Sequence, residues 1–442
     1  MSRRRVVITG IGPVSAFGLG IEPLWTAMIE GRSAIAPIRS FDATGFPCAQ
    51  AAEVAPDLFD VKQIVPRSYR KATKVMASDI ELAVGAAVSA IADAGIVTRG
   101  VDADAQPTID PDRFGCHIGA GSIAADIDEL TAAMSSSRDD AGEFDLEAWG
   151  RTGMQNLTPL WLLKYLPNML ACHVTIIHDC RGPSNTITCS EASSGLSLGE
   201  SMRVIERDQA DACLTGGAEN KVNPMGLLRQ VFAQRLAPLK GDEDVAHALQ
   251  PFSPATRGSV LGSGGGLIVV EAAETAHARN APRIYAEVSG FASSQSFCPD
   301  TVGIALDEDD ESIMNAMQRA LDDASITADD IDAIVPFGSG IPCVDRAEAK
   351  AIERVFDSRA ASIPIITTIP NVGNCCAGAG AINLAVAARA IFEQTLPARL
   401  YTQESGGLDA TQCAARAAEL GHVMVISPSL GGQNVAIVLS AV

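Results

Sequence analysis

The amino-acid sequence predicts an α/β protein of two similar halves, each built around a sheet that is buried on both faces. Short runs rich in Val and Ile alternate with longer segments of helical periodicity. The apolar runs are nearly continuous, as is typical of sheets covered by helices on both sides. The alternation restarts after about residue 250, which indicates an internal duplication and divides the chain into halves 1–250 and 251–442.

The first half contains three predicted strands and four predicted helices. The strands are expected at 5–12, 113–121 and 211–219, and the helices at 76–94, 122–134, 157–171 and 193–207. The polar stretch "SSSRDDAGEFDLEAWGR" (135–151) predicts a surface loop. Residues 37–75 hold prolines and a basic cluster, which is either a solvated face or a docking site. This basic cluster consists of Arg67, Arg70, Lys71 and Lys74.

The second half repeats the alternation. Strands are expected at 265–273, 283–294, 331–340 and 364–369, and helices at 309–323, 344–356 and 377–394. Two final apolar runs, "HVMVISPSL" and "NVAIVLSAV", flank Gly431 and Gly432. A glycine pair between two such runs predicts a closing β-hairpin.

Composition and charge exclude several classes of function. Hydrophobic residues make up 47% of the 442 residues and charged residues 19%, a globular composition. The net charge of −20 argues against nucleic acid and anionic membranes as partners. Gly and Pro break the first apolar run, so we expect a strand and turn there, not a membrane segment or signal peptide. The 11 cysteines lack C-x-x-C pairs and metal-like spacing, which predicts free thiols, no metal or other cofactor, and a cytoplasmic location.

One stretch has the composition of a catalytic turn. "RGPSNTITCSEASSGLSLGE" (181–200) places Cys189 among small polar residues, directly before a predicted helix. A cysteine at a helix N-terminus is a candidate nucleophile, because the helix end favours the thiolate.

Five segments together resemble the β-ketoacyl synthase (condensing-enzyme) family of the thiolase fold. After an opening "VVITGIGPVSAFGLG" they are "GPSNTIT", "DACLTGGAEN", "GSVLGSGGGLIVVE", "GSGIPCVDRAEAKAI" and "SLGGQNVAIVL", in the family's order across essentially the whole chain. The resemblance implies duplicated βαβαβαββ halves that form a five-layered αβαβα arrangement. It also implies a chemistry that needs one cysteine and two histidines.

Counting along the motifs places the family's nucleophile at Glu191. In the family it lies nine residues after the glycine of the "GP" pair, and Gly182 leads to Glu191. It also lies 28 residues before the end of "GGAE", and Glu219 leads back to the same position. Cys189 is two positions early, and we expect it to belong to a buried strand end.

The other family positions are altered as well. The two histidine positions correspond to Phe337 and Asn374, and the family's lysine to Ile369. The gating aromatic positions correspond to Pro428 and Leu430. Phe337 can neither donate a hydrogen bond nor take a proton, so condensation by this chain alone is physically implausible.

Among condensing-enzyme relatives without the cysteine, the chain-length factors of type II polyketide synthases look most similar. They carry glutamine in a motif that here reads "SEASSGLSLG". The resemblance implies a heterodimer with an active ketosynthase and a role in shaping the tunnel for the growing chain. It also implies a carrier protein docked mainly through the partner. Ile123, Asp126 and Leu130 would lie on one helical face along that tunnel, or would simply pack in an interface.

Three questions stay open from the sequence. Glu191 is either a charged helix cap or a protonated, hydrogen-bonded plug, and its role is either pocket filling or gating. Beside the chain-length-factor-like subunit, a second hypothesis for the function is an enzyme of altered chemistry, namely a decarboxylase, acyltransferase or hydrolase. It would use Glu191 as a base, or Cys343, Cys375 or Cys376 as a nucleophile. A third is a purely binding or scaffold role.

Overall fold

The structure is a computed structural model that describes residues 3–57, 59–297, 310–429 and 431–442. Its strands are β1 (Val6–Ser15), β2 (Gly18–Leu19), β3 (Ala36–Pro37), β4 (Gln50–Ala51), β5 (Phe114–Ala120), β6 (Ser184–Ile187), β7 (Ala212–Asn220), β8 (Ser263–Ala272), β9 (Ala286–Gln295), β10 (Ala333–Val335), β11 (Thr395–Leu396), β12 (Arg416–Ala417), β13 (His422–Pro428) and β14 (Gln433–Ser440).

The α-helices alternate with these strands. They are α1 (Ile21–Ile29), α2 (Val61–Ile64), α3 (Ser78–Ala94), α4 (Ile127–Ser135), α5 (Leu146–Arg151), α6 (Met169–His178), α7 (Ser193–Glu206), α8 (Pro224–Phe232), α9 (Ala273–Ala278), α10 (Ser312–Ala324), α11 (Pro342–Phe356), α12 (Ile369–Val372) and α13 (Ala379–Glu393). Several single 3₁₀ turns connect them, among them Ser190–Ala192 and Cys376–Gly378.

The strand order shows the internal duplication. The first half is ordered β6-β5-β7-β8-β1, and the second is β10-β13-β14-β9. Ile365 forms a parallel bridge to Ile334 beside β10 and takes the place that β6 holds beside β5. Each half therefore follows the order 3-2-4-5-1. The halves join where β1 and β9 pair antiparallel, through Val7 with Glu287 and Ile8 with Ala286.

Helices form three layers around the strands. Helices α7 and α13 lie in the middle, because each contacts strands of both halves. Helix α3 covers β1, β8 and β7 on the outer side of the first half, and α10 covers β9 and β14 in the second. The thiolase-like, five-layered αβαβα arrangement is confirmed. The strands of the two halves form one ten-stranded sheet, and helices cover each half of it on two faces as predicted.

Close helix–sheet packing depends on small residues. Every residue of β1 is buried. A methyl group placed on Gly10 or Gly12 would lie 2.3 or 2.4 Å from the carbonyl oxygens of Ala90 and Ala86 on α3. Glycine on the strand and alanine on the helix thus let α3 approach the sheet backbone directly.

Most predicted elements of the alternation are confirmed with shifted ends. The helices at 76–94, 193–207, 309–323, 344–356 and 377–394 appear as α3, α7, α10, α11 and α13. The closing hairpin is β13 and β14, paired antiparallel from His422–Ser440 to Pro428–Asn434. The segment 331–340 forms a strand only over Ala333–Val335.

Three predicted elements are wrong. The helix at 157–171 begins only at Met169, because Pro159 and Pro167 interrupt the segment. The strand at 364–369 is reduced to two isolated bridges, from Ile365 to Ile334 and from Pro364 to Asp409, and a short helix with Pro370 near its start follows. The predicted loop 135–151 contains α5, although it is largely exposed.

The division at residue 250 stays a prediction, and the strand order argues for placing it later. Strand β8, predicted as the first strand of the second half, pairs with β7 and β1 of the first half. The two halves therefore separate between α9 and β9.

One helical segment in the described residues, Cys376–Glu393, is long and apolar enough to cross a membrane, but 83% of it is buried inside the fold. Its position in the middle layer accounts for its apolar composition.

Candidate functional site

The stretch 181–200 forms a strand, a tight turn and a helix. Strand β6 ends at Ile187, the 3₁₀ turn Ser190–Ala192 follows, and α7 begins at Ser193. Ser190 has a φ of 50°, in the left-handed region. Cys189 lies between strand and turn, partly exposed, and its backbone N donates to Ser193 Oγ at 2.8 Å. The expectation that Cys189 belongs to a buried strand end is wrong, because the strand stops two residues earlier.

Glu191 is completely buried and faces a cation. Its Oε1 accepts a hydrogen bond from Arg235 Nη1 at 2.7 Å, and the two side chains are 0% and 4% exposed. Arg235 follows α8, and two backbone hydrogen bonds hold it in place, from its N to Gln230 O (3.1 Å) and from Ser259 N to its O (2.8 Å). Since arginine is always protonated, Glu191 is one half of a buried ion pair.

The turn after α12 lies beside this ion pair. Asn374 is 1% exposed, and its Oδ1 accepts from Cys376 N at 2.8 Å. The Oγ of Ser194 on α7 donates to Ala377 O. A methyl group on Gly380 would lie 3.1 Å from Ser194 Cβ and 3.6 Å from Glu191 O. The fold therefore brings Glu191 and the segment around Asn374 together, although 183 residues separate them.

Phe337 lies in the loop after β10 and is 2% exposed, in the same hydrophobic core as Cys375. The backbone N–H groups of Phe337 and Gly338 donate to Glu348 at 2.8 and 2.9 Å. Burial raises the pKa of Glu348 to about 8 and that of Asp345 to about 6. These two carboxyl groups of α11 organise the backbone of the loop, whereas the Phe337 side chain contributes only apolar surface.

The two adjacent thiols are unsuited to nucleophilic attack. Cys375 and Cys376 are 1% and 2% exposed. Burial, with a further contribution from Glu219, raises the pKa of Cys375 to about 12 and that of Cys376 well above its usual value. Both remain protonated near neutral pH, and the thiolate is the nucleophile. Cys343 is the second residue of α11 and partly exposed.

A second buried charge cluster lies next to these thiols. It consists of Asp79, Glu219 and Lys221 at the ends of α3 and β7. Glu219 contacts Lys221 Nζ and accepts from Ala377 N at 2.9 Å. Burial, and then the charge of Glu219, raise the pKa of Asp79 to about 7. Burial lowers the pKa of Lys221, but the ion pair with Glu219 outweighs it and leaves that pKa above its usual value.

The predicted tunnel residues do not share a helical face. Asp126 accepts from the N–H groups of Asp128 and Glu129 and so caps α4, which starts at Ile127. Ile123 therefore precedes the helix and is 7% exposed, while Leu130 lies within it, partly buried. Pro428 ends β13, a strand that contacts the turn 190–192. Leu430 lies outside the described residues.

Sequence reasoning missed Arg235, Lys221 and Asp79. Arg235 lies 44 residues from Glu191, and Asp79 lies 141 residues from Asn220, whose N–H it accepts, so no local pattern indicates these contacts. Lys221 is only two residues from Glu219, but its burial depends on the fold. No group of three or more His, Cys, Asp or Glu side chains within the described ranges is arranged to hold a metal ion. The basic cluster Arg67, Arg70, Lys71 and Lys74 is exposed throughout.

Comparison with family models identifies the fold's relatives. Residues 3–276 match the model for the beta-ketoacyl synthase N-terminal domain, and residues 285–403 match the model for its C-terminal domain. The chain belongs to the β-ketoacyl synthase family. This agrees with the five motifs in the sequence and with the duplicated strand order.

The relatives within this family include 3-oxoacyl-[acyl-carrier-protein] synthases and a subunit of a polyketide synthase. The 3-oxoacyl-[acyl-carrier-protein] synthase 2 of Coxiella burnetii is 30% identical, over 100% of both chains. The tetracenomycin polyketide synthase ketoacyl synthase beta subunit of Streptomyces glaucescens is 28% identical, over 98% of both. Among solved structures, the ishigamide ketosynthase/chain length factor is 26% identical with a TM-score of 0.81, and the match covers 100% of both chains. A beta-ketoacyl synthase from Burkholderia phymatum is 25% identical with a TM-score of 0.83, and covers 99% of this chain and 100% of that one.

Proposed function

We propose that this β-ketoacyl synthase family member is a non-catalytic, chain-length-factor-like subunit. It pairs with an active ketosynthase and shapes the tunnel for a polyketide, polyene or fatty-acyl chain carried on an acyl carrier protein. The observation that carries the proposal is the replacement of all three expected catalytic groups by Glu191, Phe337 and Asn374.

The chemistry of condensation has no support at these positions. The reaction needs a thiolate to take the acyl chain, and donors that stabilise the developing enolate. Here a carboxylate paired with Arg235 replaces the thiolate, and the Phe337 side chain offers no polar atom. The Asn374 amide can still donate a hydrogen bond, but a donor without a nucleophile cannot take up the acyl chain. A buried ion pair of this kind is better suited to filling a site than to transferring an acyl group.

A surface suited to a large partner lies around β6. In the described part of the chain β6 is an edge strand that pairs with β5 alone, and its first two residues are exposed. The connection between β5 and β6 also exposes large apolar side chains. They are Ile127, Met134, Phe144, Leu146, Met154, Leu160, Leu162 and Ile176. An exposed strand edge beside apolar surface favours pairing with a second chain.

The relatives make a ketosynthase the preferred occupant. One is named as the beta subunit of a polyketide synthase ketoacyl synthase, and a solved neighbour is a ketosynthase/chain length factor. This chain is similar to each of the two over essentially its whole length. We therefore place an active ketosynthase on the β6 edge of this chain, and the tunnel residues Ile123, Asp126 and Leu130 near that contact.

The net charge favours docking of the carrier protein mainly on the partner subunit. A chain with net charge −20 repels an acidic carrier protein, except at the exposed basic cluster 67–74. A cytoplasmic location for the complex is part of the same proposal.

Altered chemistry on this fold is less well supported. A nucleophilic role for Cys375 or Cys376 conflicts with their raised pKa values and complete burial. A general-base role for Glu191 conflicts with its pairing to Arg235 in a site closed to solvent.

Co-expression tests the proposal. The chain is produced together with a candidate ketosynthase that retains the Cys-His-His set, purified as a complex, and supplied with carrier protein and malonyl thioester. We expect a 1:1 complex that forms product, loses product when the ketosynthase cysteine is changed to alanine, and loses chain-length control when this chain is omitted. Product formation by this chain alone would refute the proposal, as would a stable homodimer that ignores the ketosynthase.

A further inference from the structure

The buried pair Glu191–Arg235 has a consequence for the acyl chain itself. We infer that this pair is a plug, which fills the family's nucleophile position and excludes acyl chains from this subunit's own pocket. Arg235 is the positioning residue that holds the plug in place. The inference rests on the proposed non-catalytic role, because a condensing subunit would need the same site open.

The packing around the pair leaves little other room. A methyl group on Gly195 of α7 would lie 2.7 Å from Val435 Cγ1 on β14, and one on Gly380 would lie 3.1 Å from Ser194 Cβ. The first turn of α7 is thus pressed between β14 and α13. Both side chains of the pair are buried beside this turn, 0% and 4% exposed, and so occupy the interior at this point.

Electrostatics keep the plug closed. An apolar chain that displaced either side chain would have to break this buried ion pair, which is unfavourable in a low-dielectric interior. Entry of an apolar ligand therefore has to break an ion pair and offers no polar atom in return. A neutral side chain at position 191 would lack this barrier.

Arg235 is anchored independently of Glu191. Its backbone N–H and carbonyl are bonded to Gln230 and Ser259, so the start of its side chain is fixed where α8 ends. The planar guanidinium then reaches the carboxylate with a directed N–H group. Lysine at this position would keep the charge but lose that geometry.

The test measures binding of a fluorescent long-chain fatty acid to the purified full-length chain. The opened variant is Glu191→Ala with Arg235→Ala. Its matched control is Glu147→Ala with Arg151→Ala, which removes an exposed i,i+4 ion pair whose side chains are 67% and 74% exposed. We expect the opened variant to bind the fatty acid at least tenfold more tightly than the wild type and the control.

Two results would overturn the plug. Wild-type chain that binds the fatty acid as tightly as the opened variant would show that the pair excludes nothing. An opened variant with native circular dichroism but no gain in binding would show that no acyl-sized space lies behind the pair. If the double alanine variant fails to fold, Glu191→Ala with Arg235→Met vacates only the carboxylate end, and it carries the same expectation.

A separate measurement distinguishes this inference from the proposed function. Intact-mass analysis of wild-type chain after incubation with acyl carrier protein reports covalent acylation. An acyl adduct on the wild type refutes the non-catalytic role itself. Absence of an adduct, combined with unchanged fatty-acid binding in the opened variant, refutes the plug alone.

Discussion

Removing one member of the Glu191–Arg235 pair should cost more stability than removing both. Arg235→Met removes the arginine partner of the Glu191 carboxylate, which is 0% exposed, and Glu191→Leu removes the carboxylate partner of the guanidinium, whose side chain is 4% exposed. Breaking a buried ion pair in this way costs about 3–5 kcal/mol. The double variant Glu191→Leu/Arg235→Met replaces both charges by apolar groups of similar volume, so we expect a change within about 2 kcal/mol of zero.

These free energies translate into measurable melting shifts. Unfolding entropy scales with chain length and amounts to about 0.9 kcal/mol/K for a chain of this size. Each single variant should therefore lower Tm by about 3–5 °C, and the double variant should change it by about 2 °C or less. Differential scanning calorimetry at pH 7 and one protein concentration measures Tm for the wild type, the two single variants and the double variant.

The exposed pair again supplies the control. Glu147 and Arg151 form a surface ion pair, worth about 0–1 kcal/mol, so their double alanine variant should move Tm by about 1 °C or less. Additive losses in the Glu191/Arg235 cycle would refute the reasoning. So would single variants as stable as the wild type, because the two charges would then not depend on each other.

Three further predictions follow from neighbouring groups. Gly121→Ala should destabilise the chain by about 1–3 kcal/mol, since its methyl group would lie 1.7 Å from a carboxylate oxygen of Glu219. The control is Gly45→Ala, whose methyl group would have no atom within 4 Å and should leave stability unchanged. Urea titration measures both variants, and an equal loss of stability in the two would contradict the packing at Gly121. Wild-type stability should fall relative to Asp79→Asn as pH rises from about 4 to about 7. Native Asp79 keeps its proton up to about pH 7, whereas the unfolded chain loses it near pH 3.9. The free energy of unfolding should therefore fall by up to about 1.4 kcal/mol per pH unit between these values. The prediction is wrong if the difference in urea midpoint between wild type and Asp79→Asn stays constant across that range. The thiols at 375–376 should resist iodoacetamide at pH 8 until the chain is unfolded, as peptide mass mapping reports, and rapid alkylation in the native state would contradict their burial.

Local sequence patterns were sufficient for much of the fold. Continuous Val/Ile runs and helical periodicity predicted β1, β5, β7, α3 and α13, because burial of these elements leaves a periodic record in the chain. Family motifs then led to one position, Glu191, by counting from two flanks. Prediction failed where one residue overrode the periodicity. Pro167 delays the start of α6, and the Asp126 cap delays that of α4.

The tertiary structure alone decided the partners of the buried charges. The sequence placed a carboxylate at position 191 but left open whether a cation would face it. Arg235 lies 44 residues away, in the segment after α8, and its side chain reaches Glu191 only because the fold brings that segment near the turn before α7. The same holds for Glu219, which accepts from Ala377 N across 158 residues. Short-range periodicity determines which residues are buried, whereas the pairing of buried charges depends on long-range packing, which no local pattern records.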